Sequence, residues 1–294
     1  MAEVKTERRR ITPRAQTMRK RPETREEQMI SALSPNLNVM VKAVRAVGRR
    51  MVRDFGEISS LQVSLKGPGD FVSNADMLAE KTLIEKLSED RPDYGFITEE
   101  RAEIAPKNGC EYTWIIDPID GTTNFLHAIP CFAISVALKH KDEIIAGVIF
   151  NPVTNELYYA EKGQGAFLMT PTGNMRLRVS GRVQLPYSLV GSNGFSSAKN
   201  RQIMERLVDK VASIRYNGCT TLSMAAVAAG QLDLYIATQF KSWDLAVGFL
   251  LIKEAGGYIS DFEDRKEINE IMASQTIIAG NYKLKDQVLK VVRG

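Results

Sequence analysis

The 294-residue chain has only two histidines, His127 and His140, and three cysteines, Cys110, Cys131 and Cys219. Two histidines exclude a histidine-rich metal site or an HExxH protease, and they leave little room for histidine-activated nucleophiles. The cysteines lie far apart, which argues against a disulfide framework and against a CxxC zinc site. No apolar run reaches the roughly 18–20 residues of a membrane-spanning helix, and no apolar leader marks a secretory signal. Charge of either sign is also scarce in excess: the net value is only +4. That surplus is local. Residues 1–30 hold nine basic and five acidic side chains, and the other 264 residues hold 30 of each. What the chain does have is a composition of 44% hydrophobic and 25% charged residues, suited to a folded, soluble protein with a substantial core. Its chemistry must run on carboxylates, hydroxyls and amines, and the cytoplasm is the expected compartment.

Residues 1–34 contain few large apolar side chains and no sustained amphipathic period, so they are expected to be a disordered or artefactual N-terminal extension. Met18 and Met29 are alternative starts for it. Its glutamates and lack of interleaved aromatics weigh against a transit peptide or a nucleic-acid arm. From 35 to 294 a single two-part domain is expected, with halves at about 35–184 and 185–294. In the first half, Leu37, Val41, Val44, Val47 and Met51 recur at helical spacing, and a turn at Gly67-Pro68-Gly69 precedes a second helix over Ala75–Leu87. Strand-like runs follow at Tyr94–Thr98, Tyr112–Ile116, Phe132–Leu138, Ile144–Phe150, Glu156–Ala160 and Gly165–Met169, with short turns that imply antiparallel pairing. The second half alternates strands (Leu189–Gly191, Leu232–Ile236, Tyr258–Ser260, Thr276–Ala279) with helices (Ala198–Val211, Thr221–Ala229, Leu245–Ala255, Leu284–Val292). Such a pattern points to an α+β or layered α/β architecture.

The stretch Thr113–Phe125, TWIIDPIDGTTNF, concentrates the chemistry. An apolar strand ends in Asp117, and a proline-directed turn presents Asp120 three residues later. Two carboxylates in one turn suit a hard, oxygen-seeking cation such as Mg2+. Gly121, Thr122 and Thr123 follow with small side chains, hydroxyls and free N–H groups. A helix starting there would offer its first amides to a phosphate. Each residue also has an ordinary structural role. Asp117 and Asp120 suit a turn held by local hydrogen bonds; Asp76 and Asp244 suit helix N-capping; Glu99-Glu100 is a solvated acidic step; Trp114 and Trp243 are core anchors.

Together with Gly95-Phe-Ile-Thr-Glu99-Glu100 before it and Trp243-Asp244-Leu-Ala after it, Trp114–Phe125 resembles the inositol monophosphatase family, in particular its bacterial extragenic-suppressor (SuhB-like) branch. The likeness runs from about Asn38 to the final helix, with Lys66 and Asn74-Ala-Asp76 in place. It implies a layered α/β/α/β/α sandwich and Mg2+-dependent hydrolysis of a small phosphorylated polyol or sugar, with two to three ions per site. A lithium-sensitive homodimer is the implied form. Carried over residue by residue, the resemblance gives Glu99, Asp117 and the carbonyl of Ile119 to the first ion and Asp117, Asp120 and Asp244 to the second. A weaker third would use Glu99, with Glu100 and Lys66 as auxiliary groups. Asp76 and Thr122 match the pair that orients and deprotonates the attacking water, and the amides of Gly121 and Thr122 receive the phosphate. The leaving-group side departs from the pattern. Ala237 stands where inositol-selective relatives carry an acidic residue, and Gly218-Cys219-Thr220 replaces a Gly-Ser-Ala or Gly-Thr-Ala sequence. Ser192, Gly218, Thr220, Gln239 and Lys241 are the candidate substrate contacts, and loss of the polyol-pairing carboxylate is expected to weaken inositol selectivity. Two other readings remain open: association with RNA polymerase or RNA, and hydrolysis of a sugar bisphosphate or a dinucleotide.

Overall fold

The computed structural model describes residues 24–55, 63–67, 70–195 and 197–294, with backbone only for 63–67 and 70–73. Helix α1 (Arg25–Ser31) precedes the long helix α2 (Pro35–Phe55). The strands β1 (Val63–Gly67) and β2 (Asp70–Ser73) form an antiparallel pair that leads into α3 (Asn74–Asp90). Next come β3 (Gly95–Thr98), β4 (Tyr112–Asp120), the short helix α4 (Thr122–Leu126), β5 (Ala133–His140), β6 (Glu143–Asn151), β7 (Glu156–Glu161), β8 (Gly165–Thr170) and β9 (Gly173–Arg176). Seven of these strands, β3 to β9, lie side by side in chain order in one sheet.

The second half supplies β10 (Leu189–Ser192), α5 (Ala198–Leu207), β11 (Ser213–Arg215), α6 (Thr220–Ala228), β12 (Leu234–Thr238) and α7 (Ser242–Glu254). It closes with β13 (Tyr258–Ser260), α8 (Ile268–Ser274), β14 (Thr276–Gly280) and α9 (Lys285–Arg293). Its five strands are ordered β11-β10-β12-β14-β13, with parallel pairing around β10 and antiparallel pairing around β14.

Three apolar clusters stack these pieces into layers. Val41, Val44 and Val47 of α2 and Leu83 and Leu87 of α3 cover one face of the large sheet, where Trp114, Ile116, Val136 and Val148 point. The opposite face, with Ile115, Ala137 and Ile149, meets α6 and α7, which also pack on Tyr235, Ala237 and Ile277 of the second sheet. On that sheet's outer side, Val190, Ile236 and Ile278 are covered by α5 and α9. The result is the expected α+β fold, a layered α/β/α/β/α sandwich. Alternation along β4 explains its central role: Trp114 and Ile116 face the outer helices, Ile115 faces the inner ones, and the strand is buried on both sides.

Several local expectations change. Strands β3 and β4 pair in parallel rather than antiparallel, because the 99–111 connection carries the chain from the end of β3 back to the sheet end where β3 begins. The turn expected at Gly67-Pro68-Gly69 is flanked by β1 and β2, which the sequence pattern did not mark; Pro68 and Gly69 themselves lie outside the described residues. The short β9, β11 and α8 were also unmarked, since elements of three to seven residues owe their order to neighbours rather than to a periodic pattern of their own. The helix expected to reach Val211 stops at Leu207. Part of the supposed loose N-terminal segment is ordered: Thr24 and Glu27 form a reciprocal capping box on α1, and Asn38 Nδ2 donates to the Ile30 carbonyl at 2.9 Å. Residues 1–23 lie outside the described residues. No described helix is long and apolar enough to cross a membrane.

Candidate active site

The site is built where β4 leaves the sheet. Asp117 pairs with Ser135 and Asp120 with Ala133 of β5, so β4 spends one more residue than its partner over this interval. That bulge carries Pro118 and Ile119 and redirects the strand end. It opens directly into α4 through Gly121, whose φ of +93° is left-handed. A Cβ there would sit 3.0 Å from the Cys131 carbonyl and 3.1 Å from that of Gly218, so both conformation and space demand glycine. Asn124, inside the same helix, donates from Nδ2 to the carbonyls of Cys131 and Asn217, both at 2.7 Å. This buried amide ties the 217–218 loop of the second half to the motif of the first.

Asp117 is almost fully buried, and its Oδ1 has no hydrogen-bond partner. Burial pushes its carboxyl well above the usual carboxylate range, and the charges of Glu99, Asp120 and Asp244 push it further. Four acidic groups from three separate parts of the chain therefore act on one another. Asp244 is raised to about 7, first by burial and then by Asp120. Its position differs from the expected N-cap: it lies in the first turn of α7, and its Oδ2 accepts the Lys241 N–H at 2.7 Å. Asp120 Oδ2 accepts from both the backbone N–H and the hydroxyl of Thr221 at 2.6 Å, and from the Cys219 thiol at 3.1 Å. Burial, with Asp120 adding to it, pushes the Cys219 thiol well up, so it stays a neutral donor rather than a nucleophile.

The expected water-orienting pair is in contact. Thr122 Oγ1 lies 3.2 Å from Asp76 Oδ1 and 3.0 Å from the Ile119 carbonyl, and either oxygen can accept its proton. Asp76 itself is fully buried in the first turn of α3.

Does this donor set fit a metal? Among the described residues no three acidic, histidine or cysteine side chains stand as a ready-made cage. The reason is visible in the hydrogen bonds: oxygens of Asp120, Asp244 and Ile119 are turned to Thr221, Lys241 and Thr122. The chemistry nonetheless suits a hard divalent cation. All donors are oxygens, Asp117 keeps one buried oxygen without a partner, and mutual repulsion raises its proton affinity. Cations that prefer carboxylate and carbonyl oxygens would relieve both costs.

The substrate-side candidates separate. Gly218 adjoins the site, with φ +71° and a would-be Cβ 2.8 Å from Asn124 Nδ2. Ser192 is buried and its Oγ accepts from Asn200 Nδ2 at 3.1 Å. Thr220 turns to the Tyr235 hydroxyl, 3.2 Å away, and it is the next residue, Thr221, that reaches Asp120. Ala237 is fully buried on β12. Gln239 has a left-handed φ of +58°, and Lys241 is exposed. Glu100 donates its N–H to Glu80 at 2.8 Å. The side chain of Lys66 lies outside the described residues. Thr221, Cys219, Asn124 and Glu80 were not singled out from sequence. Only Glu80 had a usable signal, its four-residue spacing from Asp76 on one helix face.

Known proteins agree with this architecture. The model of the inositol monophosphatase family matches residues 32–294. An inositol-1-monophosphatase of Mesorhizobium japonicum is 43% identical over 89% of this chain and 97% of its own length. The Nus factor SuhB of Pseudomonas aeruginosa is 35% identical over 89% of this chain and 97% of its own. The crystal structure of the extragenic suppressor protein suhB from Bartonella henselae superposes with a TM-score of 0.83 at 41% identity, covering 88% of this chain and 99% of that one. With the sandwich, the Asp117–Asp120 end of β4 and the Asp76–Thr122 pair already in place, the chain belongs to the inositol monophosphatase family.

Proposed function

We propose that this protein hydrolyses small phosphate monoesters in a Mg2+-dependent reaction. The observation that carries the reading is the meeting of Glu99, Asp117, Asp120 and Asp244, with a partnerless buried oxygen on Asp117, beside the Asp76–Thr122 pair. Glu99, Asp117 and the Ile119 carbonyl would hold one ion; Asp117, Asp120 and Asp244 a second; and Glu99, with Glu100 nearby, a weaker third. The chemistry that bound cations supply in such a place is neutralisation of the carboxylates and of the phosphoryl oxygens, together with acidification of water. The chain's own groups do the rest. Donation from the Thr122 hydroxyl to Asp76 would leave the hydroxyl oxygen to hold the attacking water, and Asp76 would accept the proton released. The amides of Gly121 and Thr122 receive the phosphate oxygens, and Asn124 keeps the 217–218 loop closed on that corner.

The substrate we propose is a small phosphorylated polyol or sugar, with weak preference for inositol phosphates, because Ala237 cannot pair with substrate hydroxyls. A cytoplasmic, lithium-sensitive homodimer completes the proposal, and the family likeness alone supports those properties. Phosphate release from a panel of sugar, polyol, bisphosphate and nucleotide esters, with Mg2+ or a chelator, tests the reading. Asp117→Asn is expected to lower turnover at least about 100-fold while the protein stays folded. Undiminished activity in chelator or in that variant overturns the mechanism. The likeness to a protein named a Nus factor favours a second reading, association with RNA polymerase or RNA. Co-purification of RNA polymerase or RNA with the full chain, undiminished in Asp117→Asn, would support it as a role separate from hydrolysis.

A further inference from the structure

Helix α3 carries two fully buried carboxylates, Asp76 and Glu80, four residues apart and hence on one face. The first reaches the β4–α4 corner through Thr122. The second reaches the end of β3. Glu80 Oε2 accepts the Glu100 N–H at 2.8 Å, and its Oε1 lies 3.2 Å from Arg101 Nε. We infer that Glu80 is a positioning residue for the acidic site: by gripping the peptide between Glu99 and Glu100, it fixes the direction in which Glu99 presents its carboxylate to Asp117. The inference rests on the phosphatase reading above.

The physical case starts from cost. A carboxylate taken fully out of water loses several kcal/mol of hydration, and a well-packed apolar side chain would serve stability at least as well. The partners of Glu80 offset that cost. The N–H it accepts belongs to the peptide unit that begins at the Glu99 carbonyl. Anchoring that planar unit to α3 fixes one of the two peptide units that flank the Glu99 Cα, and so limits how far that Cα and its side chain can shift. Arg101, half-exposed on the outer side, ion-pairs with the other carboxylate oxygen, which has no hydrogen-bond partner. Asp76 and Glu80 thus act as two struts from one helical turn, one to each of the stretches that α3 must hold in register. Groups behind a metal ligand commonly set its orientation in this way, and their loss lowers affinity about 10–100-fold.

The test uses the full chain and Mn2+ as the probe, titrated calorimetrically without substrate, with the metal-free Tm measured alongside. Glu80→Ala is expected to weaken Mn2+ binding about 10–100-fold. Glu80→Gln keeps an acceptor oxygen for the Glu100 N–H and is expected to recover most of that loss. A merely structural role would lower the metal-free Tm of Glu80→Ala and leave its Mn2+ affinity at the wild-type value, and that result overturns the inference. So does a Glu80→Gln protein as weak as Glu80→Ala. If Glu80→Ala does not fold, Glu80→Asp retracts the carboxylate by one methylene while keeping its charge, and wild-type Mn2+ affinity in that variant is equally fatal. Wild-type protein that neither binds Mn2+ nor releases phosphate would instead overturn the phosphatase reading itself.

Discussion

The raised proton affinity of Asp244 makes the metal-free protein a sensitive reporter of its own site. Its carboxyl titrates at about 7 in the folded chain against 3.8 as its ordinary value. The folded state therefore binds this proton more tightly than the unfolded state does. Stability from this group is greatest on the acidic side and is lost as pH rises toward 7, above which nothing further changes. Each pH unit inside that window is worth about 1.4 kcal/mol. Between pH 5 and 8 the metal-free protein should thus lose about 2–3 kcal/mol. For a chain of this size that corresponds to a Tm lower by about 3–5 °C. Asp117, raised by burial and by the same neighbours, pulls in the same direction. Mg2+ should reverse the trend, because it binds the ionised carboxylates and its stabilisation grows as protons leave. Thermal denaturation from pH 5 to 8, in chelator and in millimolar Mg2+, reads both limbs. A chelated protein whose Tm is flat or climbs over this range, or a Mg2+ increment largest at pH 5, would refute the claim that these carboxylates share one buried, repelling cluster.

Other outcomes follow from single contacts. Thr221→Val removes one of the two 2.6 Å donors to Asp120 and should weaken Mn2+ affinity about tenfold, measured by calorimetry; unchanged affinity would mean that the hydroxyl does not orient Asp120. Gly218→Ala forces a left-handed φ of +71° on a residue whose Cβ would press on Asn124. Urea unfolding should report a loss of about 1–3 kcal/mol, and an unaltered midpoint would contradict the tight closure of the 217–218 loop. Asp117→Asn, besides losing turnover, should raise the metal-free Tm at pH 8, since it deletes a buried charge that lacks a partner for one oxygen. A lower Tm in chelator would count against that reading.

Local chemistry in the chain was enough for much of this. The apolar run before Asp117, the Pro118 turn and the Gly121-Thr122-Thr123 string pointed to a candidate cation- and phosphate-binding corner, and the structure places Asp117, Asp120 and Thr122 together at the end of β4. Periodic apolar spacing likewise located α2, α3, α7 and most strands, because elements that bury one face must repeat at 3.6 or 2 residues. What spacing cannot supply is which distant stretches meet. That Glu99 and Asp244 act on Asp117, that Asp120 is held by Thr221, and that Asp244 caps its helix from the third helical position rather than as the N-cap residue all depend on how two sheets close around α6 and α7. The parallel β3–β4 pairing and the three-residue β11 have the same origin. Hydrogen bonding across strands and burial between layers act through space, so residues far apart in the chain acquire their roles only when the layers are stacked.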